Sequence, residues 1–232
     1  MKSTILFDEG GHRWVAMGRD SQIRDEVIDT VQYMVVADEE ALLIDPGGIE
    51  IFPQVLTEVA ANVEIEKIGG IFASHQDPDI VAALNGWLMT TDANAACSKL
   101  WKRFIPHFGS DRLVFDRVIG IEDGGVAIPL GKTELLALPA HFLHSCGNFH
   151  VYDPVSRILY TGDVGASLGQ DYRIVPDFDA HIPLMEGFHT RYMASNASLR
   201  AWVRMVKQLD IETIAPQHGA AFQGKEMSTK FL

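Results

Sequence analysis

Apolar runs that end in histidine or aspartate constrain the fold of this chain more than any other feature. The clearest run, residues 68–73, has the composition of a buried strand and leads directly into the segment SHQDPDI. Three later segments repeat the pattern, with one polar residue after each predicted strand. In chain order the six polar residues are His75, Asp77, Asp79, His144, Asp163 and His218. Because loops at strand ends are where rigid scaffolds present functional groups, we predict that these side chains meet at one site.

Short strands and helices follow one another without strict alternation. Strand patterns bounded by turn residues cover residues 32–36, 41–44, 68–73, 113–121, 126–138, 149–151, 158–160 and 212–215. Apolar residues at helical spacing predict helices at residues 51–63, 80–89, 98–108 and 196–209. Residues 165–190 have no clear period and are predicted to form a long functional loop with a short helix. This order predicts an α/β (α+β) fold in which two mixed β-sheets pack face to face between helices, a four-layer αββα sandwich formed by one domain of residues 1–232.

Each polar residue also has a structural interpretation when it is taken alone. A single histidine is more often a packing or surface residue than a ligand. Asp77 or Asp79 could cap a helix that begins near Ile80. The YTGD segment could be an ordinary turn in which Asp163 bonds nearby amides. Six metal-type side chains that recur at strand ends favour a shared metal site over these separate explanations.

Composition excludes several other classes of protein. The formal net charge is -12 and no basic run is present, which argues against nucleic-acid binding. The two cysteines, Cys97 and Cys146, are too few for a disulfide framework and are expected to be free thiols in a reducing cytoplasm. The N-terminal segment lacks the features of a secretory signal, and no apolar run reaches the roughly 18 residues of a membrane span. We therefore expect a cytoplasmic protein that does not contact a membrane.

The ordered set of polar residues resembles the metallo-β-lactamase superfamily. The first motif of that superfamily, H-x-H-x-D-H, falls where this chain reads HQDPDI at residues 75–80. Its third histidine, its GD aspartate and its late histidine match His144, Asp163 and His218. Asp77 replaces the second histidine, and a carboxylate at that position is typical of the flavodiiron branch. The segments HFLHSCGNF, FHTRYM and PQHG are most similar to the stand-alone oxygen-binding di-iron proteins of this branch, although Cys146 stands where proline is expected.

This resemblance implies a metallo-β-lactamase-like fold with two iron ions. One iron is expected to take His75, Asp77 and His144, and the other to take Asp79 and His218, with Asp163 as the bridge. A mixed set of imidazoles and carboxylates suits iron or manganese better than a histidine-rich set does. Manganese and zinc are the expected substitutes. Bound FMN is not expected, because flavodiiron reductases hold it in a flavodoxin domain of about 140 further residues.

Ile80, at the end of the first motif, leads to the expectation that the site binds a diatomic gas. Ile80 replaces the last motif histidine and cannot coordinate, which would leave the second iron with an open position for O2 or NO. The protein is then an oxygen sensor with a signalling partner, or an O2 or NO reductase that needs an external reductase. A metal-dependent hydrolase of the same superfamily is the alternative. No catalytic residue beyond the metal ligands is predicted, and a homodimer is left open.

Further residues near the motifs have no assigned role in the sequence interpretation. His141 could orient a ligand, and Cys146 is expected to lie near the metals as an inert thiol. His181 and His189 could approach the site from the irregular segment. Tyr172 and Tyr192 could offer a hydroxyl to bound oxygen, although packing is the preferred interpretation.

Overall fold

Two β-sheets pack face to face and carry helices on their outer faces in the computed structural model, which describes residues 1–18, 28–109 and 115–232. The first sheet contains, in spatial order, β1 (Lys2–Glu9), β2 (His12–Gly18), β3 (Val31–Ala37), β4 (Glu40–Ile44), β5 (Ile68–Phe72), β6 (Asn94–Ser98) and β7 (Val118–Ile121). The second contains β8 (Val126–Leu130), β9 (Thr133–Pro139), β10 (Phe149–Asp153), β11 (Ile158–Tyr160), β12 (Thr213–Ala215) and β13 (Phe222–Gln223), also as spatial neighbours. Both sheets are mixed, since β4 to β7 pair in parallel, as do β11 and β12, while the other neighbours are antiparallel.

The described helices connect and cover these strands. They are α1 (Phe52–Ala60), α2 (Pro78–Val81), α3 (Leu84–Thr90), α4 (Lys99–Lys102), α5 (Phe178–Tyr192), α6 (Asn196–Val206) and α7 (Lys225–Phe231). Short 3-10 turns occupy Ile65–Lys67 and Ile105–Phe108. None of the helices in the described part of the chain is long and apolar enough to cross a membrane.

Apolar clusters fill the spaces between the layers. Between the sheets, Trp14, Tyr33 and Phe72 of the first sheet pack with Phe149 and Tyr160 of the second. The outer face of the first sheet is covered by α1 and α3, and the outer face of the second by α5 and α6. Alternate residues of a strand point to opposite faces, so both faces of each sheet are buried against another layer. The predicted four-layer fold class is confirmed, whereas a single domain spanning residues 1–232 stays a prediction.

The largest error of the sequence interpretation concerns residues 165–190. In place of the predicted long loop with a short helix, half of the stretch belongs to α5, a 15-residue helix. The carboxylate of Asp177 caps its first turn by accepting from Ala180 N at 2.9 Å. Pro183 and Gly187 both lie inside this helix, although both residue types have low helix propensity. Packing of Met185 and Met193 against the second sheet overrides that local preference.

Smaller errors concern strands and helices that the structure divides in two at positions the local sequence pattern does not show. The strand predicted at residues 126–138 is the hairpin of β8 and β9, which turns at Gly131 with φ of 57°. The helix predicted at residues 80–89 is divided into α2 and α3, and the one at 98–108 into α4 and a 3-10 turn. The hairpin of β1 and β2 and the small-residue strand β6 were not predicted. Residues 113 and 114 of the strand predicted at 113–121 lie outside the described residues.

A buried carboxylate joins the two sheets at the end of β10. Asp153 accepts hydrogen bonds from Trp14 Nε1 at 2.6 Å and from Ser156 Oγ, and its Oδ2 lies 2.6 Å from His12 Nε2. His12 and Trp14 belong to β2 of the first sheet, so one carboxylate joins a strand of each sheet. Burial opposes ionisation, but the hydrogen bonds from His12, Ser156 and Trp14 outweigh it and hold the pKa of Asp153 below its ordinary value.

Asp153→Asn is expected to lower the free energy of unfolding by about 2–4 kcal/mol at neutral pH, because a buried charged acceptor loses its bonds. A carboxylate whose pKa falls on folding stabilises the protein above its unfolded pKa, and this contribution disappears as pH drops through the folded value. Urea unfolding of the metal-free protein should therefore give a difference between native and variant that is largest near pH 7 and shrinks below about pH 4. A difference that persists unchanged into acid would contradict this role.

Candidate metal centre

The six side chains predicted to form a site converge at one end of the sandwich. His75, Asp77 and Asp79 follow β5, and the other three follow β9, β11 and β12: His144, Asp163 and His218. Hydrogen bonds from Thr161 N to Ala215 O (3.0 Å) and from Gln217 N to Gly162 O (2.7 Å) hold the loops after β11 and β12 side by side. The parallel pairing of these two strands thus brings residues more than fifty positions apart to the same edge.

A first group of donor atoms surrounds one point of the site. His144 Nε2 lies 2.9 Å from Asp163 Oδ2 and 3.4 Å from Asp77 Oδ2. His75 Nε2 lies 3.7 Å from Asp77 Oδ2 and 3.8 Å from the same Asp163 oxygen. The donor atoms of His75, Asp77 and His144 all lie within 4.8 Å of one another, a spacing that can hold a metal ion.

A second group uses the other oxygen of the shared aspartate. His218 Nε2 lies 3.5 Å from Asp163 Oδ1 and 3.5 Å from Asp79 Oδ2. Asp163 therefore directs Oδ2 toward His75 and His144 and Oδ1 toward His218. A carboxylate with one oxygen in each of two donor groups could hold two neighbouring ions together.

The donor set and its spacing fit metal ions better than a hydrogen-bond network. Donors that each lie about 2.0–2.2 Å from one ion are separated from each other by roughly 3–3.5 Å. The distances within both groups are close to that separation. His144 Nε2 and Asp163 Oδ1 are buried and lack a hydrogen-bond partner of good geometry among the described residues. Buried polar atoms are rarely left without a partner, so these two are available to a bound ion.

Neighbouring groups fix which nitrogen of two histidines faces the site. Ser74 Oγ donates its proton to Asp45, so it accepts from His75 Nδ1 at 2.9 Å. His218 Nδ1 lies 2.8 Å from the carbonyl oxygen of Asp29, which can only accept. Both rings therefore carry a proton on Nδ1 and direct Nε2 to the site. Orientation of a ligand histidine through its second nitrogen is a regular feature of protein metal sites.

Asp45 lies beneath the site and was not among the site residues predicted from the sequence. It accepts from Ser74 N at 2.7 Å, from Ser74 Oγ and from the Tyr160 hydroxyl, and it is fully buried. Burial raises the pKa of Asp45 to about 6, against the opposing influence of His75 and of these hydrogen bonds. Asp45 follows β4, so the rule of polar residues at strand ends would have found it.

Two glutamines orient the partly exposed carboxylates of Asp77 and Asp79. Gln76 Nε2 donates to Asp77 Oδ1 at 3.0 Å and to Ser145 Oγ at 2.9 Å. Gln217 Nε2 donates to Asp79 Oδ2 at 3.2 Å. Asp77 occupies the cap position of α2, but its carboxylate makes no capping hydrogen bond. The helix-cap interpretation of Asp77 is therefore wrong, and the carboxylate faces the histidines instead.

The electrostatics of the site match a cluster of cation ligands. Burial opposes ionisation of Asp163, but His144, His75 and His218 hold the pKa of that carboxyl well below its ordinary range. Burial likewise disfavours a charged His144, but Asp163 and Asp77 raise its pKa to about 10. A position at which nearby carboxylates favour positive charge this strongly also attracts a metal cation.

The other candidate residues occupy distinct places. His141 Nε2 donates to the carbonyl oxygen of Asp123 at 2.9 Å, and His181 packs against Phe222 beside the Tyr172 hydroxyl. His189 contacts the Asp163 loop through Gly165 N, at 2.9 Å. Ile80 is fully buried in the cluster between the first sheet and its helices, and Cys146 is a partly buried free thiol in the His144 loop.

Comparison with known proteins gives one family and several related structures. A family model described as "ODP family beta lactamase" matches residues 28–219. A solved structure described as the peroxy diiron species of chemotaxis sensor ODP is 37% identical, with a TM-score of 0.89, over 100% of this chain and 92% of its own. The apo state of chemotaxis sensor ODP from T. denticola is 38% identical, with a TM-score of 0.86, over 99% of this chain and 92% of its own. The resemblance inferred from the sequence is confirmed.

More distant relatives share the fold over only part of their length. The rubredoxin oxygen:oxidoreductase of the anaerobe Desulfovibrio gigas is 20% identical, with a TM-score of 0.84, and the match covers 99% of this chain and 59% of that one. An uncharacterized protein of Methanocaldococcus jannaschii is 22% identical over 230 residues. That match covers 94% of this chain and 57% of the relative, so the chain spans a little over half of that curated relative.

Asp45→Asn is expected to weaken binding of Co2+ or Fe2+ by about 10–100-fold, because it removes the acceptor that sets the proton position of Ser74 and thereby of His75. The measurement is an anaerobic competition titration against a chromophoric chelator. Asp38→Asn, in the exposed turn at the other end of β4, is the matched control and should bind as the native protein does. Unchanged affinity in an Asp45→Asn protein that remains folded would show that Asp45 does not orient the site.

Proposed function

Because the chain belongs to the ODP beta-lactamase family, we propose that it binds dioxygen at two ferrous ions held by the six side chains. The observation that carries this proposal is the division of Asp163 between two donor groups, each with its own histidine and a second carboxylate. The described relatives at 37% and 38% identity are chemotaxis sensors, one of which was captured as a diiron species. Sensing of dioxygen is therefore the proposed role.

Each proposed ligand has a distinct task at the pair of ions. His75, Asp77 and His144 would hold one ion, and Asp79 and His218 the other, with Asp163 between them. Three carboxylates offset most of the positive charge, so little uncompensated charge is buried. When bound, the two ferrous ions supply electrons and an open coordination position for a diatomic gas. Within the protein, Ser74 and the Asp29 carbonyl accept from Nδ1 of His75 and His218 and so direct Nε2 of each ring to the site.

The balance of imidazole and carboxylate favours iron over zinc. Asp77 stands where zinc hydrolases of the superfamily have a histidine, and Ile80 where they have another. Hard oxygen donors suit iron and manganese, while imidazole-rich sets suit zinc. Manganese or zinc are proposed only as substitutes, and hydrolysis by a metal-bound hydroxide is the less favoured activity. Ile80 packs in the core of the first sheet and supplies no ligand.

The proposal extends to the protein's partner, cofactors, cellular compartment and oligomeric state. A sensor needs a signalling partner, whereas reduction of O2 or NO would need an external reductase, and sensing is preferred because of the sensor relatives. No FMN is proposed at this site, since both donor groups consist of metal ligands. Both cysteines are free, which supports a reducing compartment such as the cytoplasm. A homodimer is compatible with this role and is not required by it.

The proposal is tested on protein purified without oxygen. Its iron content is measured first, and its visible spectrum is recorded before and after air is admitted. The native protein is expected to contain two ferrous ions per chain and to develop a visible absorption band with O2. Asp77→Ala should lose at least one iron and the band, because the first donor group loses a carboxylate. Asp92→Ala removes an exposed carboxylate that precedes β6, at the opposite end of the sheet, and should behave as the native protein.

Two outcomes would contradict the proposed function. One is native protein that binds two zinc ions in preference to iron and cleaves esters or phosphodiesters. The other is full iron content and an unchanged band in Asp77→Ala, which would remove Asp77 from the ligand set.

A further inference from the structure

A stacked pair of aromatic rings on α5 lies against histidines of both donor groups. The rings of Phe188 and Tyr192 are 4.4 Å apart between centroids and inclined by only 12°. Tyr192 meets His144 edge to face, with centroids 5.5 Å apart, and Phe188 lies 6.2 Å from His218. The pair therefore spans the site from one proposed metal position to the other.

The helix that carries the rings is fixed to the loop that carries Asp163. His189 donates from Nδ1 to the carbonyl oxygen of Met185 at 2.9 Å, one helical turn back, and this leaves Nε2 as an acceptor. Gly165 N donates to that Nε2 at 2.9 Å. Gly165 lies two residues after Asp163, so the helix and the bridging carboxylate are held in one arrangement. His189 acts here as a positioning residue that sets where the neighbouring Phe188 lies.

The rings lie on the side of the site formed by His144 and His218. The side chains of His75, Asp163 and His218 are almost fully buried, whereas those of Asp77 and Asp79 are 34% and 32% exposed and that of His144 is 15% exposed. Tyr192 is 45% exposed, so it lies between His144 and solvent. Approach to the His144 ring from this side is therefore restricted by Tyr192, which packs against it.

We propose that Phe188 and Tyr192 form an aromatic wall that limits the size of the molecule that can reach the metal ions. Stacked rings have few rotatable bonds, so they form a rigid surface that admits narrow molecules such as a diatomic gas and hinders wider ones. The ring of Tyr192, and not its hydroxyl, performs this task, because the ring is the part that contacts His144 and Phe188. This inference rests on the proposed metal site, but it concerns residues that are not ligands.

The test compares the affinities of azide and imidazole for protein loaded with Co2+ under anaerobic conditions. Both ligands are nitrogen donors, and imidazole is the wider of the two. Their binding is followed by the visible d–d spectrum of Co2+, which does not depend on oxygen chemistry. Native protein should bind azide but bind imidazole poorly. Phe188→Ala and Tyr192→Ala should tighten imidazole binding at least about tenfold and change azide binding less than threefold, whereas Tyr192→Phe should match native protein.

Phe178→Ala is the matched control, since it removes a ring from the same helix at a position that packs against Phe222 and away from the site. It should leave both affinities as in native protein. Equal imidazole affinity in native protein and Phe188→Ala, with two Co2+ bound in each, would overturn the wall alone. The same gain in Phe178→Ala, or in Tyr192→Phe, would also overturn it. Failure of native protein to bind two ions would overturn the proposed function and the wall together.

Discussion

The division of one carboxylate between two histidine groups is the constraint on which the arrangement of the site depends. Asp163 can reach both groups only because the loops after β11 and β12 are joined through Thr161, Gly162, Ala215 and Gln217. The backbone on either side of Asp163 turns through positive φ at Gly162 and Gly165, at 49° and 102°. Glycine adopts such angles without strain, so this short loop can direct the carboxylate inward. The central position of Asp163 thus follows from the parallel strand pair and its turn.

Polar groups behind the donor side chains hold each donor atom in its orientation toward the site. Ser74 and the Asp29 carbonyl set the proton positions of His75 and His218, while Gln76 and Gln217 restrain Asp77 and Asp79. These partners come from both sheets, since Asp45 and Ser74 lie at strand ends of the first sheet and Tyr160 belongs to the second. The stability of the sandwich and the geometry of the donor groups are therefore linked through buried hydrogen bonds. Rigid support of this kind is what a preorganised site requires.

The sequence predicted what depends on local pattern and chemistry, and failed where tertiary contacts decide. All six donor residues could be named because each lies in the loop that follows an apolar strand and because their order matches the motifs of the superfamily. Helix α5 could not be predicted at its full length, since Pro183 and Gly187 obscure its helical period. Its formation depends on packing against the second sheet. Asp45 was missed although it also follows an apolar strand, β4, because no motif of the family directs attention to it. The aromatic pair was missed for the same reason as α5, because Phe188 and Tyr192 share one face only within a helix.

Anomalous diffraction at the iron edge, from crystals grown and loaded with Fe2+ without oxygen, tests the central claim most directly. The account predicts two iron peaks on either side of the Asp163 carboxylate, one contacted by His75, Asp77 and His144 and the other by Asp79 and His218. A single peak, or two peaks that do not share Asp163, would contradict it.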